Sequence, residues 1–139
     1  MVELYYIEFD TKGKNEMKNI TDEVRDIVSE SGIADGYVLV FVPGATGALS
    51  TIEYEPGLKK DFPELMEKLI PEKEYYLHNE TWHDGNGHSH LRATLIGPSL
   101  TIPFAEGELL LGTWQQIIFL EFDNKPHHRK LIAQLIGQP

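Results

Sequence analysis

Apolar and polar positions alternate in short blocks whose period changes several times along the chain. Residues 2–10, VELYYIEFD, are rich in β-branched and aromatic types and predict a strand. After a polar turn at 11–16, Thr21 predicts a helix cap, with Asp22 and Glu23 in the first turn where the helix dipole favours acids. Val24, Ile27 and Val28 give that helix one apolar stripe, and Gly32 is its natural stop. Residues 37–42, YVLVFV, form an unbroken apolar run and predict a strand buried on both faces. The break at 43–47, PGATG, separates it from a further strand at 48–54, in which Glu53 is the only acid. Pro56-Gly57 then turns the chain into a second helix, clearest over 61–69, with Pro63 in its first turn, Leu65, Met66 and Leu69 as its buried stripe, and Pro71 as its end.

The last third has a different texture. Strands are predicted at 99–104, 108–112, 114–123 and 129–136, separated by Gly- and Asn-containing breaks, as in an antiparallel meander. The whole predicts an α+β single domain over 1–139, mainly antiparallel sheet with two to three short helices.

Composition narrows the function. At 139 residues with 41% hydrophobic and 24% charged content, the chain can bury a core without staples. It has no cysteine, which removes disulfides, thiolate metal sites and thiol nucleophiles and fits the cytoplasm. The acidic start argues against an export signal, and no apolar run reaches membrane-spanning length. A net charge of −10 with no basic stripe disfavours nucleic acid and anionic membranes as partners. A local pocket for a small phosphorylated substrate remains compatible with that charge.

Candidate chemistry concentrates at 76–96, YLHNETWHDGNGHSHLRATLI, which holds four of the six histidines: His78, His83, His88 and His90. His78, His88 and His90 could supply three imidazoles to zinc, with Asp84 or Glu121 as a further ligand or an orienting partner. The geometry depends on where the following helix starts. If 87–96 is helical, His88 and His90 point about 200° apart, His88 alongside Arg92 and His90 alongside Thr94. If the helix starts after His90, an extended H-x-H presents both rings on one side. Exposed loop histidines without a role are the plain alternative. Gly85, Asn86 and Gly87 lead into a helix start whose free N–H groups could hold a phosphate. Trp114 and Gln115, after a glycine turn, could wall a pocket, though a core or interface aromatic is the simpler reading. Glu121 lies in an apolar strand and is expected to be paired or proton-active. Arg129 could reach inward or form a surface pair with Glu121 or Asp123, and His127-His128 reads as an exposed turn.

Several of these residues also compose a familiar pattern. Y-x-H at His78, D-G-N-x-H-x-H-L over 84–91, G-x-S at 97–99, G-x-L-x-x-G-T-W-Q over 107–115, T-x-A-L over 46–49, and the acids Glu53 and Glu121 with Arg129 resemble the YjbQ-like proteins. Some members of that family show secondary thiamine-phosphate synthase activity. The resemblance spans nearly the whole chain. It implies a barrel-like sandwich assembled as a homotrimer, with a polar pocket between subunits. It further implies His78, Asp84, His90, Glu121 and Arg129 as catalytic groups, with Thr46, Gly85, Asn86, Gly87, Trp114 and Gln115 as ligand contacts. The implied reaction joins a pyrimidine diphosphate to a thiazole phosphate, releases pyrophosphate and calls for Mg²⁺. Many members carry His-Thr where this chain has Gly44-Ala45. A ligand-capturing protein without turnover and a metal-assisted hydrolase are the rival expectations.

Overall fold

The structure, a computed structural model, describes residues 1–139. In chain order the elements are β1 (Val2–Thr11), β2 (Glu16–Asn19), α1 (Thr21–Glu30), β3 (Asp35–Phe41), β4 (Gly47–Glu53), α2 (Pro56–Leu69), α3 (Leu77–Trp82), α4 (Gly87–Ile96), β5 (Ser99–Ala105), β6 (Glu108–Leu109), β7 (Gln115–Glu121) and β8 (His127–Gln138). Every strand pairing is antiparallel. Five strands form one sheet in the order β1-β8-β3-β5-β6, and three form another in the order β2-β7-β4.

The two sheets bury their facing sides against each other and against α1. Ile7, Val38, Val40, Leu131 and Leu135 meet Leu49, Ile117 and Phe119, with Val24, Ile27 and Val28 closing one end. Each such side chain contributes about 1.5–3 kcal/mol by leaving water. The other side of the small sheet is covered too: Ala48, Ile118, Leu120 and Phe122 pack against Met66 of α2 and Ala93 of α4. The strand buried on both faces is therefore β7. The expectation placed that role on 37–42, but β3 alternates, with Val38 and Val40 inside and Tyr37 (40%) and Phe41 (37%) facing out. Apolarity on both sides of β3 has two different causes, a core on one side and an open apolar face on the other. Val2, Leu4 and Tyr6 of β1 extend that face, at 62%, 52% and 50% exposure.

Local chemistry also shifts several predicted boundaries. Thr21 is not the cap of α1; Asn19 Oδ1 accepts its N–H (3.0 Å) and hydroxyl (2.6 Å), while Thr21 Oγ1 accepts the N–H of Ile117 (2.8 Å) and ties α1 to β7. The helix closes at Ser31, one residue before Gly32. α2 starts earlier than predicted because Glu55 caps it, accepting from Gly57 (2.9 Å) and Leu58 (2.5 Å), so Pro56 takes the first turn and Pro63 lies in the interior. Of its predicted stripe only Met66 is buried; Leu65 and Leu69 are 48% and 57% exposed, since α2 touches the small sheet along one narrow line. β2 and α3, at four and six residues, are too short to show a period and were not expected.

Candidate functional site

The start of α4 decides the geometry. The chain turns through His83 and Gly85 in left-handed conformations (φ 56° and 66°) and enters the helix at Gly87. A Cβ on Gly87 would stand 2.7 Å from Tyr76 Cβ, so the close packing there requires glycine. With helix from residue 87, His88 and His90 diverge as the helical alternative requires. His88 turns inward beside Arg92, at 3% and 1% exposure. Arg92 fastens α4 to α2 and its exit, donating to Ile70 O (2.7 and 3.0 Å), Glu67 Oε2 (2.9 Å) and Asn15 Oδ1 (3.0 Å). Burial first, then the Arg92 charge, push the His88 pKa below its ordinary 6.5, which keeps the ring neutral. The predicted ligand trio His78, His88 and His90 is therefore not brought together, and no group of three His, Asp or Glu side chains is placed to hold a metal ion. The helix period separates them.

His78 and His90 do meet. Their ring centroids are 4.4 Å apart with planes tilted by 52°. His78 Nε2 lies 3.0 Å from Asn86 Oδ1 and 3.5 Å from Asp84 Oδ1. Asn86, 5% exposed, passes this contact inward by donating from Nδ2 to Asp123 Oδ1 (3.2 Å). Asp123 also accepts from the Asn124 N–H (2.8 Å) and from His127 Nε2 (2.5 Å). Burial alone would raise the Asp123 pKa, but the bonds from His127, Asn86 and Asn124 outweigh it and hold the carboxyl below its ordinary range. At the expected phosphate cradle of Gly85–Gly87, the Gly87 N–H donates to Asn79 Oδ1 (2.9 Å) and the Asn86 side chain is committed to His78 and Asp123.

A second buried group lies across the end of the small sheet. Glu121 is 0% exposed and accepts from Arg129 Nε (2.8 Å), Arg129 Nη2 (2.6 Å), Thr11 Oγ1 (2.7 Å) and the Asp123 N–H (3.1 Å). Arg129 Nη2 also donates to Thr46 Oγ1 (2.9 Å). Arg129 reaches inward, as one of its two readings had it. Its third nitrogen, Nη1, has no partner in the chain and faces Gly44, where an added Cβ would come within 3.2 Å.

Two clefts flank this arrangement and share His90 as a wall. One, about 340 Å³, is lined by Gly44, Ala45, Gly47, His90, Ala93, Thr94 and Pro98. The other, about 540 Å³, is lined by Tyr75, Tyr76, Leu77, His78, Gly87, His90 and Leu91 and is mainly apolar. Trp114 and Gln115 are elsewhere. In the β4–β7 register Glu53 opposes Gln115 while Gly47 opposes Glu121, a separation of roughly 20 Å along the strand. Trp114, 72% exposed, borders a different cleft with Glu53, Tyr54 and Glu55. The expected wall is thus not part of the histidine site within one chain.

Sequence reasoning missed Asp123 and His127. Asp123 lies in the loop two residues past the end of β7 and is reached by Glu121, which accepts its backbone N–H (3.1 Å). His127, expected in solvent, is half-buried on Asp123; His128, 60% exposed beside Glu8 and Asp10, is the surface histidine, its pKa raised by the bonds to Asp10 and Glu8.

Fold and site together define a small α+β protein of two packed antiparallel sheets with two clefts that share His90. The family model for UPF0047 protein YjbQ-like matches residues 5–138. A UPF0047 protein of Archaeoglobus fulgidus is 44% identical over 126 residues, covering 91% of this chain and 95% of that one. YugU of Bacillus subtilis, also a UPF0047 protein, is 33% identical over 94% of this chain and 97% of its own length. Among solved structures, a YbjQ-like protein from Sulfolobus solfataricus superposes with a TM-score of 0.90 at 32% identity, covering 99% of this chain and 100% of that one. The chain belongs to the YjbQ-like UPF0047 family.

Proposed function

We propose that this protein is an enzyme acting on a small phosphorylated substrate at the paired clefts around His90. The reaction resembles thiamine-phosphate synthesis. A thiazole-phosphate nitrogen forms a bond to the methylene carbon of a pyrimidine diphosphate as the carbon–oxygen bond to diphosphate breaks. The observation that carries the reading is that His90 separates an aromatic-walled cleft from one backed by the free Nη1 of Arg129. The first suits a planar ring, the second a phosphate. The Glu121 carboxylate holds Arg129 by two of its nitrogens and so fixes where the third points. His78 and His90, in contact with each other, are the groups placed to exchange protons with a reacting ligand.

Two features favour an assembly of copies, the homotrimer of the sequence reading. One is the outer face of the larger sheet, where Val2, Ile136, Tyr37 and Pro103 align across four strands, and Tyr6, Ile132 and Phe41 across three. An exposed apolar area of that kind marks an interface. The other is the distance of Trp114 and Gln115 from the histidines, which a neighbouring copy could close. No helix is long and apolar enough to cross a membrane; with no cysteine in the chain, a cytoplasmic setting fits this chemistry.

Calorimetric titration with a thiazole phosphate and with the same thiazole as its free alcohol tests the reading. A charge-assisted contact at Arg129 contributes about 1.5–3 kcal/mol, so the phosphate should bind roughly ten- to a hundredfold tighter. Equal affinities would remove Arg129 as an anion contact.

A further inference from the structure

His78 has two ring nitrogens, and its surroundings decide which one carries the proton. The decision starts at Asp123. Its carboxylate is 2% exposed and, being ionised, can only accept hydrogen bonds. Asn86 Nδ2 faces Asp123 Oδ1 at 3.2 Å, so the carboxamide must turn its NH₂ inward and its oxygen outward. That oxygen is the atom 3.0 Å from His78 Nε2. An oxygen committed as an acceptor needs a donor opposite it, and the Asp84 carboxylate, 3.5 Å from the same nitrogen, asks for the same thing. The orientation of Asn86 is also protected from reversal. A flipped carboxamide would set its oxygen against the Asp123 carboxylate, an acceptor against an acceptor.

We infer that Asp123, through Asn86, holds His78 as the Nε2–H tautomer and leaves Nδ1 as the nitrogen with a free lone pair. Asp123 and Asn86 are then positioning residues, and Nδ1 is the base or ligand atom that His78 presents along the wall it shares with His90. His127 completes the arrangement from the far side. Its Nε2 donates to Asp123 Oδ2 while the Asn124 N–H fixes Oδ1, so the carboxylate cannot rotate away from Asn86. Three backbone segments, the turn before α4, the loop after β7 and the start of β8, are tied to one imidazole in this way. The inference deepens the acid–base reading of the clefts by naming the working atom of His78. It is tested without substrate, so a protein inert toward thiazole phosphates could still satisfy it.

The experiment is nitrogen-15 NMR of the full chain labelled at histidine, at a pH where imidazoles are neutral. The expected spectrum gives His78 a pyrrole-type shift at Nε2 and a pyridine-type shift at Nδ1. His83, exposed and unbonded, serves as the averaged control. Asn86→Ala should move the His78 pattern toward averaged shifts, leaving only the longer Asp84 contact to favour Nε2–H. Asp123→Ala should do the same by freeing Asn86 to turn over. Asp123→Asn should restore the single tautomer, because the Asn124 N–H keeps the substituted side chain's oxygen on the Asn86 side. A purely structural Asp123 would give no such difference between its two variants. A pyrrole-type shift at Nδ1 in the wild type, averaged shifts there, or an unchanged pattern in Asn86→Ala would overturn the inference. If Asn86→Ala fails to fold, the wild type and the Asp123 pair still decide it.

Discussion

Replacing Arg129 by methionine isolates the worth of the buried pair beneath the cleft. The substitution keeps most of the side-chain volume and removes the charge. Glu121, with 0% exposure, would lose the bonds at 2.8 and 2.6 Å and keep only the Thr11 hydroxyl and the Asp123 N–H. Removing one partner of a buried pair costs about 3–5 kcal/mol, because the survivor stays desolvated. Set against a whole-domain stability of about 5–15 kcal/mol, that is a large share. For a chain of this size it corresponds to a fall in Tm of about 10–17 °C. Arg129→Met/Glu121→Leu removes both charges and should recover most of the loss. Urea unfolding followed by circular dichroism measures all three proteins, at one fixed concentration so that assembly contributes equally. A loss under about 1 kcal/mol in Arg129→Met, the range of surface pairs, would refute the argument. So would a double variant no more stable than the single one.

His88 predicts a pH dependence. Its folded pKa lies below 6.5, so below that pH the unfolded chain takes up a proton that the folded one refuses, and stability falls as pH drops from 6.5 toward the folded value. The slope is at most about 1.4 kcal/mol per pH unit; His88→Leu should flatten it just below pH 6.5, and identical slopes in urea titrations would contradict this. Asp123 acts in the same direction only at lower pH, since its lowered pKa keeps its contribution in place above the ordinary carboxyl range of 3.8. On the open face of the larger sheet, Phe41→Glu should convert a species of three times the chain mass into monomers in sedimentation. A wild-type monomer would remove the trimer reading.

The antiparallel α+β architecture was legible in the sequence, whereas the convergence of its polar side chains was legible only in part. Glu121 stood out because a carboxylate in IIFLEFD must find partners, and Arg129 is the partner found. H-x-H was legible as two alternatives, and Gly87 settled them, since close packing on Tyr76 starts the helix before His88 and sends that ring inward. No periodicity could reveal that. The apolar run at 37–42 was misread because an open apolar sheet face and a second core look alike in one dimension. Trp114 and Gln115 joined the histidines in the sequence pattern, whereas the β4–β7 register sets them at the far end of the strand. Asp123 was overlooked because its bonds run to residues 37 positions earlier and four later.

The most direct test is product formation from a thiazole phosphate and a pyrimidine diphosphate with Mg²⁺, in wild type and in His90→Ala. His90 lines both clefts and contacts His78 without holding any part of the core, so the variant should fold as the wild type does. The wild type should form thiamine phosphate saturably, and His90→Ala should lose at least about a hundredfold in rate, the contribution of a positioned acid or base. Full activity in a folded His90→Ala protein would contradict it.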